Sequence, residues 1–457
     1  MSVLNDLGEF LRSGIRRYNV PGASIAVLRN GRLAAAEAAG VINLDTRVQT
    51  DTDSVFQIGS ITKIFTTTLI LQLQDEGLLD INAPVIDYLP QFRVADPIVC
   101  RELTLRHFLS HTSGIDGDFF PDSGRGDGSV ERFVDMCAML PQLFQPGAMM
   151  SYCNVGFAVL GRVIEILTGK TYDAAIAERL FAPLGMDHAL SLPEDTLRFR
   201  SAIGHVPHPR KKGVLRVAPA LFLSQGQKAA GSTPSMSASD LLRFAYAHMN
   251  GGRGANGTKI LSASSVNAMR ARQVRLLKHT PRGLTGWGLG WCLGTWDSSR
   301  VIGHDGGTIG QSAFLRIARD ERLAVALLTN GGDTMGLYQE LFNVLFKNLA
   351  KIQMPALSGI NPDLNVDLER LIGRYENITT VVDVTEGRGG PRVTVTDKAG
   401  VGPQPISNAP IGFVDRNTAR LASDDELLDR SLYLFSVEED GRTQYVATGL
   451  RQLRRTH

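Results

Sequence analysis

The hydrophobic pattern of the first forty residues predicts a helix followed by a β-hairpin. Apolar residues between Leu4 and Ile15 recur at helical spacing and alternate with charged ones, which is typical of an amphipathic helix. Two short apolar runs then flank Asn30-Gly31, and Asn-Gly between such runs favours the tight turn of a hairpin. We therefore expect residues 22–40 to form two antiparallel strands.

The middle of the chain has mainly helical patterns, and strand patterns return only late. Helix-like stretches cover residues 60–75, 104–109, 154–168 and 238–249. Strand-like runs follow at 286–293, 311–317 and 323–328, before a last helical pattern at 335–352. These runs predict an α/β fold, in which one antiparallel sheet is flanked by helices and interrupted by a large helical insertion. The sheet would come from about residues 1–45 and 285–354, and the helical lobe from about 46–284.

The pattern changes again beyond residue 353, where proline and glycine interrupt it and long helices stop. Short strand-like runs, separated by Gly, Asp and Pro turns, occupy the rest of the chain. We therefore predict a first domain at 1–354 and a separate all-β domain at 355–457, either a small barrel or a sandwich.

Composition and charge exclude several classes of partner. The 457 residues include 48 basic and 46 acidic ones, well mixed, which leaves a formal net charge of +2. This balance does not favour nucleic acid or an anionic membrane surface. Short basic clusters at 210–212 and 451–455 are interpreted as a solvated loop and a solvated tail.

Cysteine use and the N-terminus bear on the compartment. The four cysteines show neither C-x-x-C nor zinc-like spacing, so we expect free thiols in a reducing compartment and no metal or cofactor. The pattern of a signal peptide is absent from the first residues, and no window of about 18 apolar residues predicts a spanning helix. The expected location is cytoplasmic.

The first candidate for chemistry is Ser60, in the only Ser-x-x-Lys of the chain. In the first turn of a helix, Ser60 and Lys63 would be neighbours on one face, so that the lysine could take the serine proton. Lysine is a base only where burial or nearby cations lower its pKa. By itself the tetrapeptide fits a solvated helix start better, because serine and lysine are common.

A second candidate is the loop at 146–154, which ends in Tyr152 and Asn154. A tyrosine beside an ammonium group would have its pKa lowered and could act as a general base. An asparagine amide can hydrogen-bond both a lysine and a substrate carbonyl. The simpler interpretation is that Asn154 caps the following helix and that Tyr152 is a half-buried aromatic residue.

A third candidate is the glycine-rich stretch at 303–310, just before a predicted strand. Glycines allow backbone to approach a ligand, so the N–H group of Gly307 could join that of Ser60 as an oxyanion hole. His304 would add polarity at the edge of the cleft. The alternative is an ordinary glycine turn with an ordinary histidine.

The order of the three candidates favours the functional interpretation. Ser-x-x-Lys, Tyr-x-Asn and His-x-Gly follow one another as in penicillin-recognising serine enzymes. Over about residues 5–350 the sequence resembles the class C β-lactamase and penicillin-binding-protein-like serine hydrolases, including residues 109–114, 146–147, 183–186 and 303–311. The resemblance implies that Ser60 is the acylated nucleophile and that Lys63 and Tyr152 share the proton transfer.

The resemblance also implies which residues hold the substrate. Asn154, His304 and Gly306 would bind it, and the N–H groups of Ser60 and Gly307 would form the oxyanion hole. His304 stands where β-lactamases have the lysine of Lys-Thr-Gly, and it would hold the carboxylate of a penicillin less firmly. His-x-Gly is common among the esterases, D-stereospecific peptidases and acyltransferases of the family. His111 lies outside the three motifs and is interpreted as structural.

Three hypotheses for function follow. Some relatives with a lipocalin-like barrel after the hydrolase domain are thioesterases that release and macrocyclise nonribosomal peptides, and residues 371–376 look like the start of such a barrel. We therefore expect a serine acyltransferase that acts on a peptidyl thioester or ester, often with a D-residue at the acyl terminus. This substrate could be free or attached to a carrier protein. The alternative is a hydrolase of D-amino-acid-containing peptides or small esters. A non-catalytic ligand-binding homologue is the third hypothesis.

Overall fold

The chain opens with helix α1 (Leu7–Arg17) and a hairpin of β1 (Gly22–Arg29) and β2 (Arg32–Gly40). The computed structural model describes residues 3–280, 283–400, 405–422 and 432–456. Asn30 and Gly31 have φ angles of 51° and 82°, which is the left-handed conformation that a tight Asn-Gly hairpin turn requires. The predicted hairpin is confirmed.

A large helical lobe follows, built around helix α2. Its elements are β3 (Phe56–Gln57), α2 (Thr62–Asp75), α3 (Pro97–Glu102), α4 (Leu105–Leu109), α5 (Ser129–Asp135), α6 (Asn154–Thr168), α7 (Tyr172–Ile176), α8 (Ala182–Leu184), β4 (Ala189–Leu190), β5 (His205–Pro207), β6 (Leu215–Val217), β7 (Ser235–Met236), α9 (Ala238–Met249) and α10 (Ala263–Arg270). Short 3₁₀ helices lie at Gly59–Ile61, Val85–Asp87, Met136–Met139, Pro193–Arg198 and Gln225–Ala230, with one π-helical turn at Ala177–Phe181. Twelve of the fourteen residues of α2 are buried, so its start is not a solvated helix end.

The chain then returns to the sheet. The later elements are β8 (Val274–Arg275), β9 (Leu284–Trp287), β10 (Cys292–Trp296), β11 (Ser299–Gly307), β12 (Ser312–Ala318), β13 (Leu323–Thr329) and α11 (Thr334–Leu349). In the described part of the chain, eight strands form one antiparallel sheet in the order β2-β1-β13-β12-β11-β10-β9-β8. The expected fold class, an antiparallel sheet with a helical insertion, is therefore confirmed.

Two sequence predictions about these strands are wrong. The run at 286–293 is not one strand, because the chain turns at Gly290, whose φ angle is 74°, between β9 and β10. The stretch at 303–307 is not a turn, because it forms the end of β11, paired with β12 from Val301 to Gly307. Apolar periodicity missed β11 because polar residues and glycines occupy most of it.

Helices cover both faces of the sheet. Alternate residues of β1 point into different cores: Ile25 and Val27 pack against α1 and α11, and Ala26 and Leu28 pack against the helical lobe. Almost all of β1 is therefore buried, which explains why its sequence is a continuous apolar run.

A closed barrel completes the chain. Its strands, hydrogen-bonded in sequence order with β21 next to β14, are β14 (Gly373–Glu376), β15 (Thr380–Gly387), β16 (Gly390–Asp397), β17 (Ile406–Asp415), β18 (Thr418–Leu421), β19 (Leu432–Glu439), β20 (Arg442–Thr448) and β21 (Arg451–Arg455). The expected all-β, lipocalin-like unit is thus confirmed, whereas its first residue, 355, stays a prediction.

The last basic cluster is not a solvated tail as predicted. Residues 451–455 form β21, which closes the barrel between β14 and β20. Arg455 donates a hydrogen bond to Tyr375 Oη over 2.6 Å, and its guanidinium lies 4.8 Å from the centre of that ring. Aromatic and backbone partners of the barrel therefore hold Arg455 in place.

The barrel is hydrogen-bonded to the loop that carries Tyr152. Tyr152 N donates to Leu450 O over 2.9 Å, and Gln452 N donates to Ser151 Oγ over 3.1 Å. Tyr445 Oη adds a bond of 2.9 Å to the Leu143 carbonyl oxygen. The turn before β21 is thereby placed beside a candidate site residue.

Among the described residues, none of the helices combines the length and apolar character required to span a bilayer.

Candidate active site

Ser60 lies in the 3₁₀ helix Gly59–Ile61 that leads into α2, with the end of β11 directly against it. A Cβ atom added to Gly306 would lie 1.8 Å from the Ile58 carbonyl oxygen. A Cβ atom added to Gly59, whose φ angle is 51°, would lie 2.5 Å from Gly307 N. The absence of side chains at 59 and 306 therefore lets β11 approach the serine.

Lys63 is fully buried, and its Nζ lies 3.1 Å from Ser60 Oγ. The same atom donates to Asn154 Oδ1 and to the Ala230 carbonyl oxygen, both over 2.7 Å. Burial lowers the pKa of Lys63 to about 7; the Arg451 guanidinium also lowers it, and Asp118 opposes this. A large share of Lys63 is thus neutral near pH 7, when its lone pair can accept the Ser60 proton.

Tyr152 lies on the loop before α6, with its ring centre 4.9 Å from Lys63 Nζ. Burial raises the pKa of its hydroxyl well above the ordinary value, although Ser60 and Arg451 oppose this. The expectation that this pKa is lowered is therefore wrong, because the dry surroundings disfavour the phenolate more than nearby cations favour it. Ser60 is the side chain that interacts with the Tyr152 hydroxyl, and this interaction favours the phenolate without overcoming the effect of burial.

Asn154 is the first residue of α6 and links Lys63 to Asp118. Its Oδ1 accepts from Lys63, and its Nδ2 donates to Asp118 Oδ1 over 2.7 Å. The helix cap is instead Cys153, whose Sγ accepts from Gly156 N. The interpretation of Asn154 as a simple cap is therefore wrong.

Asp118 and Arg451 extend this chain of contacts into the barrel, and neither was a candidate from the sequence. Arg451 Nε donates to Asp118 Oδ2 over 2.6 Å, and its guanidinium lies 4.7 Å from the centre of the Tyr152 ring. The Asp118 carboxylate raises the pKa of Arg451 despite burial. The sequence analysis interpreted the cluster that contains Arg451 as a solvated tail, and no motif in the sequence linked Arg451 to Asp118.

His304 lies on β11 and is held neutral. Burial lowers its pKa to about 3, and the Lys63 charge lowers it further. Its Nδ1 lies 2.6 Å from the Asp305 carbonyl oxygen, which places the ring proton on Nδ1. His304 therefore supplies an uncharged acceptor, Nε2, and the cation near the site comes from Arg451 instead.

Gly307 ends β11 where the cleft opens. A Cβ atom added there would meet no heavy atom within 4 Å, in contrast to Gly306. The backbone of Gly307 passes close to Gly59, the residue before Ser60. The oxyanion hole formed by the N–H groups of Ser60 and Gly307 stays a prediction.

His111 is structural, but it also supports the site. Its Nδ1 accepts a hydrogen bond of 3.0 Å from Cys153 N, and its ring stacks on Tyr152 with centroids 4.2 Å apart. Trp287 packs edge-on against the same pair. The Tyr152 ring is thus fixed between His111 and Trp287.

The chain is similar to known proteins over most of its length. A profile described as "Beta-lactamase" matches residues 7–345. The chain is 41% identical over 366 residues to penicillin-binding protein 4 of Amycolatopsis lactamdurans. This match covers 79% of this chain and 94% of that protein.

Two kinds of solved structure are also similar. The crystal structure of SurE matches with a TM-score of 0.79 and 26% identity over 99% of this chain and 98% of that chain, and SurE with D-Leu matches with a TM-score of 0.76. A D-stereospecific amidohydrolase from Streptomyces sp. matches with a TM-score of 0.58 and 26% identity, over 74% of this chain and 98% of that chain. The first similarity includes the barrel, and the second spans about three quarters of the chain.

Proposed function

Because the chain belongs to the beta-lactamase family, whose members are serine hydrolases and their relatives, we propose that it forms an acyl-enzyme on Ser60 and transfers a peptidyl group. The observation that carries this proposal is the buried contact of Lys63 with Ser60, 3.1 Å apart, at a lysine whose pKa is about 7. Ligand binding alone does not require a neutral lysine within hydrogen-bonding distance of a serine hydroxyl, whereas nucleophilic catalysis does.

In the first half-reaction, Ser60 Oγ attacks the carbonyl carbon of a thioester or ester. Neutral Lys63 takes the Ser60 proton as the new ester bond forms, and the N–H groups of Ser60 and Gly307 hold the oxyanion. The bond to the thiol or alcohol then breaks, and that leaving group receives the proton from Lys63. The Tyr152 hydroxyl shares in this transfer as a relay: it donates its own proton to the leaving group and takes the proton of Lys63 in the same step, so that it ends protonated as it began.

In the second half-reaction, the free amine of the same peptide attacks the acyl ester on Ser60. The amine gives up a proton to Lys63, the Ser60 ester bond breaks, and Ser60 Oγ regains its proton. The product is a macrocyclic peptide. Asn154 and the neutral His304 hold the peptide chain by hydrogen bonds, and Gly306 lets β11 come close enough to do so.

The acyl group is a peptide ending in a D-residue rather than a penicillin. His304 is neutral, so the edge of β11 lacks the lysine charge that β-lactamases direct at a carboxylate. The similarity to SurE, solved with D-Leu, extends over the barrel and supports a D-residue at the acyl position. The substrate is a peptidyl thioester or ester, free or attached to a carrier protein, inside the cytoplasm.

A second candidate function is hydrolysis of D-amino-acid-containing peptides or esters. The similarity to the D-stereospecific amidohydrolase favours it for the part of the chain before the barrel. Water would then replace the peptide amine as acceptor, with the same acyl-enzyme on Ser60.

A matched pair of linear peptidyl thioesters, differing only in a D- or an L-residue at the acyl end, tests the proposal. We expect the D-peptide to give a cyclic product, separated from the hydrolysed acid by mass, and the L-peptide to react much more slowly. Hydrolysis alone across a broad peptide panel would favour the second candidate. Failure to turn over any ester and to label with a fluorophosphonate probe would overturn both.

A further inference from the structure

A cavity of about 440 Å³ lies at the end of the sheet opposite Gly307. It is a partly open depression bounded by the C-terminal end of α10 and by strands β9 to β12. Ile302, in its wall, precedes Gly307 by five residues on β11, which places it ~16 Å away along the strand. The cavity is therefore separate from the candidate active site, and its volume is in the range of small-molecule sites.

Four arginines line the cavity, against a single acidic residue. They are Arg270, Arg272, Arg300 and Arg319, and the acid is Asp320. Arg300 and Asp320 lie 3.4 Å apart with 84% and 59% of their side chains exposed, so this pair neutralises little. Within the described ranges, neither Arg272 nor Arg319 forms an ion pair. The cavity thus carries an excess of positive charge in a protein with nearly balanced charge.

Arg270 is the innermost of these cations. One of its terminal nitrogens, Nη2, donates to the His248 carbonyl oxygen, but its buried Nε has no hydrogen-bond partner in the described part of the chain. Burial lowers the pKa of Arg270 to about 10; the charge of Arg319 also lowers it, and Asp320 opposes this. Two guanidinium groups held together in this way repel each other, and an anion between them would remove that cost.

The remaining walls differ in character. Leu293, Ile302 and Ile317 provide an apolar surface, and Thr285 and Asn267 add polar groups at the rim. We propose that the cavity binds a small organic anion, with its charged group on Arg270 and Arg319 and a short apolar body against the three aliphatic side chains. Guanidinium groups suit this role because they bind phosphate and carboxylate oxygens through paired N–H donors.

Titration calorimetry of the full chain with hexyl phosphate tests the proposal, with hexanoate as the carboxylate arm. Inorganic phosphate lacks the apolar body and hexanol lacks the charge, so both should bind much more weakly. The variant Arg319→Gln should weaken hexyl phosphate by about tenfold or more, the loss of one charge-assisted hydrogen-bonding group. Arg275→Gln removes the same charge from an exposed position on β8 outside the cavity and should leave binding unchanged.

Each contrary result is distinct. Equal weakening by Arg319→Gln and Arg275→Gln would show non-specific attraction and overturn the site. If hexanol bound as tightly as hexyl phosphate, the site would not require a negative charge. If inorganic phosphate bound as tightly, the site would not require an apolar group. Either result would overturn the proposal. No heat from either organic anion at about 5 mM would also reject the proposal. Both variants change exposed side chains, and an unchanged melting temperature will show that they remain folded.

Discussion

The charge of Lys63 decides what the candidate site can do. An ordinary lysine has a pKa of 10.5, so only ~1 in 3,000 would be neutral at pH 7. Burial brings the pKa to about 7, and Asn154 and Ala230 hold the amine in hydrogen bonds beside Ser60. Lys63, rather than the protonated Tyr152, is therefore the base that the geometry favours.

The rate of acylation should follow the neutral fraction of Lys63. As pH rises through about 7, the ammonium loses its proton and becomes a base, so the rate should rise and then level off. A stopped-flow pH profile with an activated ester will measure this. A rate that keeps rising to about pH 10 would mean that Lys63 titrates as an ordinary lysine.

Asp118→Asn should move that profile to lower pH. The Asp118 carboxylate stabilises the Lys63 ammonium, so its loss should lower the pKa of Lys63 further, whereas the new amide can still accept from Asn154 Nδ2. The same stopped-flow profile will show the shift. Glu76→Gln, on an exposed ion pair with Arg179, is the matched control and should leave the profile in place.

At residue scale the sequence could predict which candidate residues lie together, but not the electrostatics of the candidate site. Ser60, Lys63, Tyr152 and Asn154 follow motifs, and the structure brings them together. The direction of the Tyr152 pKa depends on how completely tertiary packing excludes water, which local sequence does not encode. The pair of Asp118 and Arg451 was not predicted for a related reason. The two residues are 333 positions apart in the sequence and are in contact only because the barrel packs against the helical lobe.

At the scale of elements, the contact of β11 with the 3₁₀ helix Gly59–Ile61 positions the nucleophile. The two segments are about 250 residues apart in sequence, and the glycines at 59 and 306 are what allow their backbones to touch. The helices were predicted closely where end signals exist: α6 stops before Gly169, whose φ angle is 63°. Strand β11 was missed because its pairing, not its composition, makes it a strand.

Gly306→Ala should damage both stability and acylation. The added methyl group would lie 1.8 Å from the Ile58 carbonyl oxygen, which is backbone and cannot move aside, so β11 must shift away from Ser60. We expect a loss of about 1–3 kcal/mol in the free energy of unfolding, measured by urea denaturation, together with slow fluorophosphonate labelling.

Gly307→Ala is the matched control for that stability measurement. Its methyl group would meet no heavy atom within 4 Å, so the free energy of unfolding should stay within experimental error of wild type. If both variants were equally stable, the close approach of β11 to the 3₁₀ helix would be in doubt.

At the scale of the whole molecule, the barrel contacts the candidate site. Leu450 and Gln452 bond the Tyr152 loop through backbone and side chain, and Arg451 reaches Asp118 and the face of Tyr152. The barrel thus supplies the cation that His304 does not. We infer that the two units act together in acyl transfer.

Arg451→Gln should therefore move the acylation profile to higher pH. The Arg451 charge disfavours the Lys63 ammonium, so its removal, which also frees Asp118, should raise the pKa of Lys63. Arg451→Lys keeps the charge and should shift the profile less. Arg416→Gln, an exposed arginine elsewhere on the barrel, should not shift it at all. Equal profiles for Arg451→Gln and wild type would limit the barrel to a structural role.

The central claim is that Ser60 carries the acyl group, and intact-mass spectrometry after brief mixing with an activated peptide ester tests it most directly. Wild type should gain the mass of one acyl group, located by digestion on the peptide of residues 48–63, and Ser60→Ala should gain none. Acylation of Ser60→Ala at the wild-type rate, or an acyl group on another peptide of the wild type, would contradict the account.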